Sequence, residues 1–169
     1  NRYARLLKDQ SNYYSSRFWY DKLGRLIISQ NTNQFNKVNP INNAVKQAYS
    51  YTLYDNLGRI VEVGEKFENH TGTIKFNSIF GSLVSNYYNT NVIDDSKLQL
   101  WITGVGPRRE VTKTYYDNQT ILPVTFTQNN LRKRVATTTF EDLFDGNNLT
   151  YQHATHYSYD IHGNVSNLW

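Results

Sequence analysis

His153, His156 and His162 are the residues whose type could ligate a metal ion. On a strand, positions 153 and 156 differ by an odd number and point to opposite faces, while position 162 falls in a turn, so no common ion is served. Neither metal nor cofactor is expected. Four aspartates, Asp21, Asp55, Asp117 and Asp160, could act as general acids or bases, but each follows a tyrosine at the same place in a recurring pattern, which assigns them to turn geometry. The acidic pairs Asp94-Asp95 and Glu141-Asp142 lie in stretches read as loops, with no histidine or nucleophile beside them. Gly104-Val105-Gly106 is followed by Pro107 and no helix, so it is not read as a phosphate cradle. Arg108-Arg109 and Arg132-Lys133-Arg134, set among aromatics, are the mixture that single-strand nucleic-acid binders use. Three adjacent residues on a strand cannot share a face, however, and the net charge is only +4; nucleic acid is not expected. Asn69-His70-Thr71, Asn118-Gln119-Thr120 and Asn148-Leu149-Thr150 match the glycosylation sequon, which matters only in a eukaryotic secretory pathway. With no nucleophile set beside a base, no enzymatic activity is expected.

The elements that would position these residues announce themselves as a repeat. Tyr20-Asp21-Lys22-Leu23-Gly24-Arg25-Leu26 returns as Tyr54-Asp55-Asn56-Leu57-Gly58-Arg59-Ile60. Tyr159-Asp160-Ile161-His162-Gly163-Asn164-Val165 keeps the Tyr-Asp and the glycine but replaces the arginine, and Tyr116-Asp117-Asn118-Gln119-Thr120-Ile121 lacks both glycine and arginine. Each reads as a β-turn between two strands: the Asp carboxylate accepts from turn amides, and Gly three residues on supplies positive φ without steric cost. Composition agrees with an all-β chain. Among 169 residues there are 14 Tyr, 8 Phe and 3 Trp, types that suit a pleated surface. The absence of Cys rules out disulfides.

Taken in order, strands are expected at Arg17–Tyr20 and Arg25–Gln30, then at Ala48–Tyr54 and Arg59–Phe67. The polar stretch 31–47 reads as an irregular insert with a helical turn near 43–47, and 68–97 as a second insert. Leu98–Thr103 alternates as a strand. A meander follows: Glu110–Tyr116, Ile121–Thr127, a turn at Gln128–Asn130, Leu131–Phe140, a loop over Glu141–Asn148, Leu149–Tyr159 and Asn164–Trp169. Tyr151, His153, Thr155, Tyr157 and Tyr159 would form a column on one face. One hairpin cannot bury its apolar face alone, so such units must stack into a continuous sheet.

The Tyr-Asp-x-x-Gly-Arg motif resembles that of the Rhs or YD-repeat family, and the match at Tyr20–Leu26 and Tyr54–Ile60 is close. The resemblance covers the four motifs and, more loosely, the meander from Glu110 to Trp169. It implies antiparallel hairpin repeats forming part of a large spiralling sheet that closes into a hollow β-shell. In bacterial members, such as Rhs polymorphic toxins and the BC component of insecticidal toxin complexes, the shell commonly encloses a C-terminal toxin; animal teneurins use it at cell contacts. The implied partners are neighbouring repeats, the enclosed domain of the same polypeptide, and a secretion or delivery apparatus. The implied location is secreted or at the cell surface. The family's self-cleaving core carries Asp-Pro signatures, whereas Pro40, Pro107 and Pro123 follow Asn, Gly and Leu. With no Met and an alternating pattern still running at Trp169, the chain is expected to be a fragment of something longer. No stretch is long and apolar enough to span a bilayer as a helix. The alternative reading is a surface adhesin or carbohydrate-binding module using Tyr151 and Tyr157.

Overall fold

The structure is a computed structural model that describes residues 16–35, 37–38, 41, 45–68 (backbone alone at 45–46), 93–104, 106–119, 125–147 and 149–169. In chain order its elements are β1 (Arg17–Tyr20), β2 (Leu26–Gln30), α1 (Thr32–Phe35), β3 (Lys37–Val38), β4 (Val45–Lys46), β5 (Ala48–Tyr54), β6 (Ile60–Phe67), α2 (Asp95–Thr103), β7 (Arg108–Tyr116), β8 (Val135–Phe144), β9 (His153–Tyr159) and β10 (Val165–Leu168). It is mostly antiparallel β-sheet. Eight strands lie in the order β1-β2-β5-β6-β7-β8-β9-β10, and β3 and β4 make a separate pair. No helix among the described residues is long and apolar enough to cross a membrane. The chain divides into two compact units, 1–52 with 65–108 and 53–64 with 109–169.

In the first unit, β1 and β2 pair with Trp19 opposite Ile28, and Ile28 in turn faces Tyr51 of β5. Among the described residues its buried apolar side chains include Trp19, Ile27, Ile28, Ala48, Tyr49, Tyr51, Phe67, Ile93, Leu98, Trp101 and Ile102. The Tyr49 ring meets Trp19 and Trp101 edge-on, at centroid distances of 6.1 and 5.6 Å, an arrangement the ring quadrupoles favour. The stretch 31–47, read as an irregular insert, opens on a reciprocal cap. Asn31 Oδ1 accepts from the Gln34 amide and Gln34 Oε1 accepts from the Asn31 amide, both at 3.0 Å, which starts the short α1. Gln34 then donates to Ser50 Oγ and Glu65 Oε1, while the Lys37 ammonium sits 2.6 Å from Glu65 Oε2. The helical turn therefore lies at Thr32–Phe35, and residues 45–46 of the expected turn are strand.

The expected strand Leu98–Thr103 is helix α2. Asp94 caps it, its carboxylate accepting from the Ser96 amide, and the buried residues Leu98, Trp101 and Ile102 follow helical spacing. Leu100, which the alternating reading placed with Leu98, is 52% exposed. Of the second insert, residues 69–92 lie outside the described residues.

In the second unit, β8 and β9 pair from Thr137 opposite His156 to Phe140 opposite His153, and β9 pairs with β10 through an irregularity between Val165 and Asn167. Alternation buries Val111 and Lys113 of β7, Thr137, Thr139 and Glu141 of β8, and His156 and Ser158 of β9. The Lys113 ammonium lies 3.9 Å from the centroid of the Phe144 ring, within cation–π range. Strand β8 runs through Glu141–Phe144, where a loop was expected, because Glu141 and Phe144 are both buried. Residues 125–127 of the expected strand Ile121–Thr127 are not strand, and the other four positions, 121–124, lie outside the described residues. Strand β9 begins at His153, leaving Tyr151 outside the column, although Tyr157 and Tyr159 do stack, 6.5 Å apart.

Candidate functional site

The residues singled out by the repeat lie on the turns, and three turns share one hydrogen-bond set. In the β1–β2 turn the Asp21 amide donates to the Arg25 carbonyl (2.9 Å) and the Gly24 amide to the Asp21 carbonyl (3.0 Å). Asp21 Oδ1 accepts from the amides of Leu23 and Arg25, and Oδ2 takes the Arg25 Nε at 2.5 Å. The same bonds recur at Asp55 with Leu57, Gly58 and Arg59. At Asp160 they recur with His162, Gly163 and Asn164, whose side-chain amide stands in for the guanidinium at 2.9 Å from Oδ2. Gly24, Gly58 and Gly163 have φ of 77°, 80° and 94°, a region in which an L side chain is strained. Burial raises the Asp21 pKa, but hydrogen bonds from the Arg25 amide and guanidinium and the Leu23 amide outweigh it and hold the carboxyl below its ordinary value of 3.8.

At the fourth motif, Tyr116-Asp117, Asp117 bonds to residues further along the chain. The Asp117 amide donates to the Arg134 carbonyl, as Asp21 does to Arg25, and Asp117 Oδ1 accepts from the Lys133 amide at 2.6 Å. Lys133, with φ of 60°, stands where the other copies have glycine; Arg134 stands where they have arginine, and Val135 opens the next strand. Residues 118–132 are thus inserted inside a repeat whose two halves meet in space. A turn does occur nearby, but it closes from Leu131 to Arg134 and not at Gln128–Asn130. The tyrosines confirm the equivalence. Tyr116 donates to the Ile60 carbonyl at 3.0 Å and Tyr159 to the Val135 carbonyl at 2.9 Å, each reaching the residue that follows the arginine of the preceding motif.

Those arginines reach forward in the same way. The Arg59 guanidinium lies 4.2 Å from the Tyr116 ring centroid and pairs with Asp55 and Asp117, both at 2.7 Å. Arg134 lies 5.2 Å from the Tyr159 ring centroid and donates to the Asn130 carbonyl. It also covers Gly163, where an added Cβ would come within 2.6 Å of its guanidinium. Hydrogen bonding to Asp117 raises the Arg59 pKa, and the bond from Arg59 lowers that of Asp117. Replacing Lys133 with Gly relieves left-handed strain while keeping the amide that Asp117 holds. Lys133→Gly is therefore expected to stabilise the chain by about 1 kcal/mol in urea unfolding; a destabilised variant would show that Lys133 does not fill the glycine position.

The other chemical candidates separate. His153 and His162 are exposed and His156 is buried on the opposite face of β9 from His153. Among the described residues no group of His, Cys, Asp and Glu could hold a metal ion. Asp94 pairs with Lys22 at 2.7 Å and Asp142 with Arg109 at 2.8 Å, while Glu141 is buried. The Gly104–Gly106 loop presents carbonyls: those of Gly104 and Gly106 receive the Lys66 ammonium at 2.8 and 3.1 Å. Burial, helped by the like charge of Arg108, lowers the Lys66 pKa to about 8. Nothing in the sequence marks this lysine, because it sits in a strand among other charged residues, Glu62 and Glu65.

Fold and turns together define an antiparallel β-sheet chain built on Tyr-Asp hairpins. No family model matches it, no curated protein matches it, and no solved structure matches it.

Proposed function

We propose that this chain is a non-catalytic segment of the wall of a large secreted or surface protein of the Rhs/YD-repeat kind, a hollow β-shell around a C-terminal toxin. The reading is carried by one observation: the same carboxylate-centred bonds recur at Asp21, Asp55 and Asp160, and Asp117, in the same Tyr-Asp setting, accepts from the Lys133 amide far along the chain. A catalytic carboxylate is needed once; a joint is needed at every hairpin. The forward contacts from Arg59 to Tyr116 and from Arg134 to Tyr159 tie each hairpin to the next. This is the nearest-neighbour stabilisation of a repeat array. Its partners in this role are further hairpins of the same polypeptide and the domain they enclose. The test is to isolate the complete polypeptide and determine its sequence. Further Tyr-Asp-x-x-Gly copies are expected on either side of this stretch, and their absence from both sides would overturn the proposal.

A further inference from the structure

The inserted segment 125–131 is fastened to β9 by two kinds of contact. Gln128 donates to the carbonyls of Ala136 and Tyr157, at 2.5 and 2.9 Å, and so sits between β8 and β9. The Asn129 amide donates to Ser158 Oγ, its carbonyl accepts from the Tyr159 amide, and the Asn130 side chain donates to the Tyr159 carbonyl. The second contact is aromatic. Phe126 stacks on Trp169, with centroids 4.3 Å apart and planes 6° from parallel, and meets the His156 ring edge-on at 5.0 Å. His156 is 5% exposed and its Nδ1 lies 2.9 Å from Thr137 Oγ1. Trp169 and His156 exchange backbone hydrogen bonds at 2.8 and 3.0 Å, fixing the stack against β9.

We propose that the segment from Phe126 to Asn130 is an acid-released latch on β9, with His156 as its proton acceptor. The groups that face the imidazole are Thr137 from β8, Phe126 from the segment and, behind Phe126, Trp169 beyond β10; none of these side chains ionises. Among the described groups that face the ring there is no carboxylate, so an imidazolium formed there has two N–H donors to satisfy without an anion among them. Burial accordingly holds the His156 pKa below its ordinary 6.5. The sign follows. The latched state prefers the neutral ring, so its stability is fully present above pH 6.5 and falls as the pH drops below that value, because the opened state takes up the proton first. Lifting Phe126 uncovers the ring edge it meets, and Gln128, two residues on, moves with the same segment.

The test is hydrogen exchange of the whole chain at pH 7.5 and 5.0, corrected for intrinsic exchange and resolved at the amides of Asn129 and Tyr159. Protection there is expected to fall several-fold at the lower pH relative to the β1–β2 amides, and His156→Gln, which retains a polar group beside Thr137, is expected to abolish the difference. Unchanged protection in the wild-type chain, or an equal fall in His156→Gln, would overturn the proposal. If His156→Gln does not fold, Phe126→Ala decides. With the ring uncovered, protection is expected to be low already at pH 7.5 and nearly independent of pH; a full wild-type response in that variant also overturns the latch.

Discussion

Gly106→Ala is expected to destabilise the chain by about 3 kcal/mol or more, read as a large fall in the urea midpoint with little change in slope. Gly106 has φ of 132°, and a Cβ there would lie 2.2 Å from the Phe67 carbonyl oxygen. The obstacle is main chain on a fully buried residue, and its strand cannot retreat cheaply. Phe67 donates its amide to the Pro107 carbonyl at 3.0 Å, and the next side chain back, Lys66, is held by the carbonyls on both sides of residue 105. Moving the loop away would strip the buried ammonium of its acceptors, a second cost added to the first. Gly24→Ala is the control. It shares the left-handed backbone, with φ of 77°, but no atom lies within 4 Å of the added Cβ, so only about 1 kcal/mol of backbone strain is expected. Equal losses in the two variants would show that the loop does not press on β6 as described.

What the sequence disclosed and what it hid follow one physical distinction. The hairpins at Tyr20, Tyr54 and Tyr159 are legible because every requirement is local: a carboxylate, a positive-φ glycine three residues on, and period-2 strands either side. The sequence of α2 reads as a strand because Leu98, Leu100 and Ile102 satisfy a period of two, while the residues that are buried, Leu98, Trp101 and Ile102, satisfy the helical period. The cap at Asp94-Asp95-Ser96 was the overlooked signal. Strand β8 extends past Phe140 although Glu141 has the composition of a loop residue, because Glu141 is buried with its polar neighbours Thr137 and Thr139. The split repeat was hidden for a different reason. Its halves, Tyr116-Asp117 and Lys133-Arg134-Val135, satisfy the motif only across an insertion, and lysine in place of glycine removes the one residue type that marks positive φ. The basic cluster Arg132-Lys133-Arg134 drew attention as a charge run, when Arg134 is the structural arginine of a repeat and only its neighbours are exposed.

The insertion also supplies the second large expected effect. Gln128→Ala should destabilise the chain by about 2 to 4 kcal/mol, since the 6%-exposed amide serves the carbonyls of both Ala136 and Tyr157, and its removal leaves one buried and one part-buried acceptor short of a donor. Simple loss of packing predicts a cost for Ala but tolerance of the isosteric Glu. The geometry predicts the reverse order. In Gln128→Glu a carboxylate would face two carbonyl oxygens with nothing to donate, so at neutral pH this variant should be the less stable of the two, recovering as acid protonates it. Asn130→Ala, which removes one hydrogen bond at an exposed position, should cost no more than about 1 kcal/mol. A Glu variant at least as stable as Ala at pH 7 would mean that residue 128 does not sit between β8 and β9. The order Asn130→Ala, Gln128→Ala, Gln128→Glu, from mildest to most severe, would place the insertion inside the sheet as one of its bonded parts.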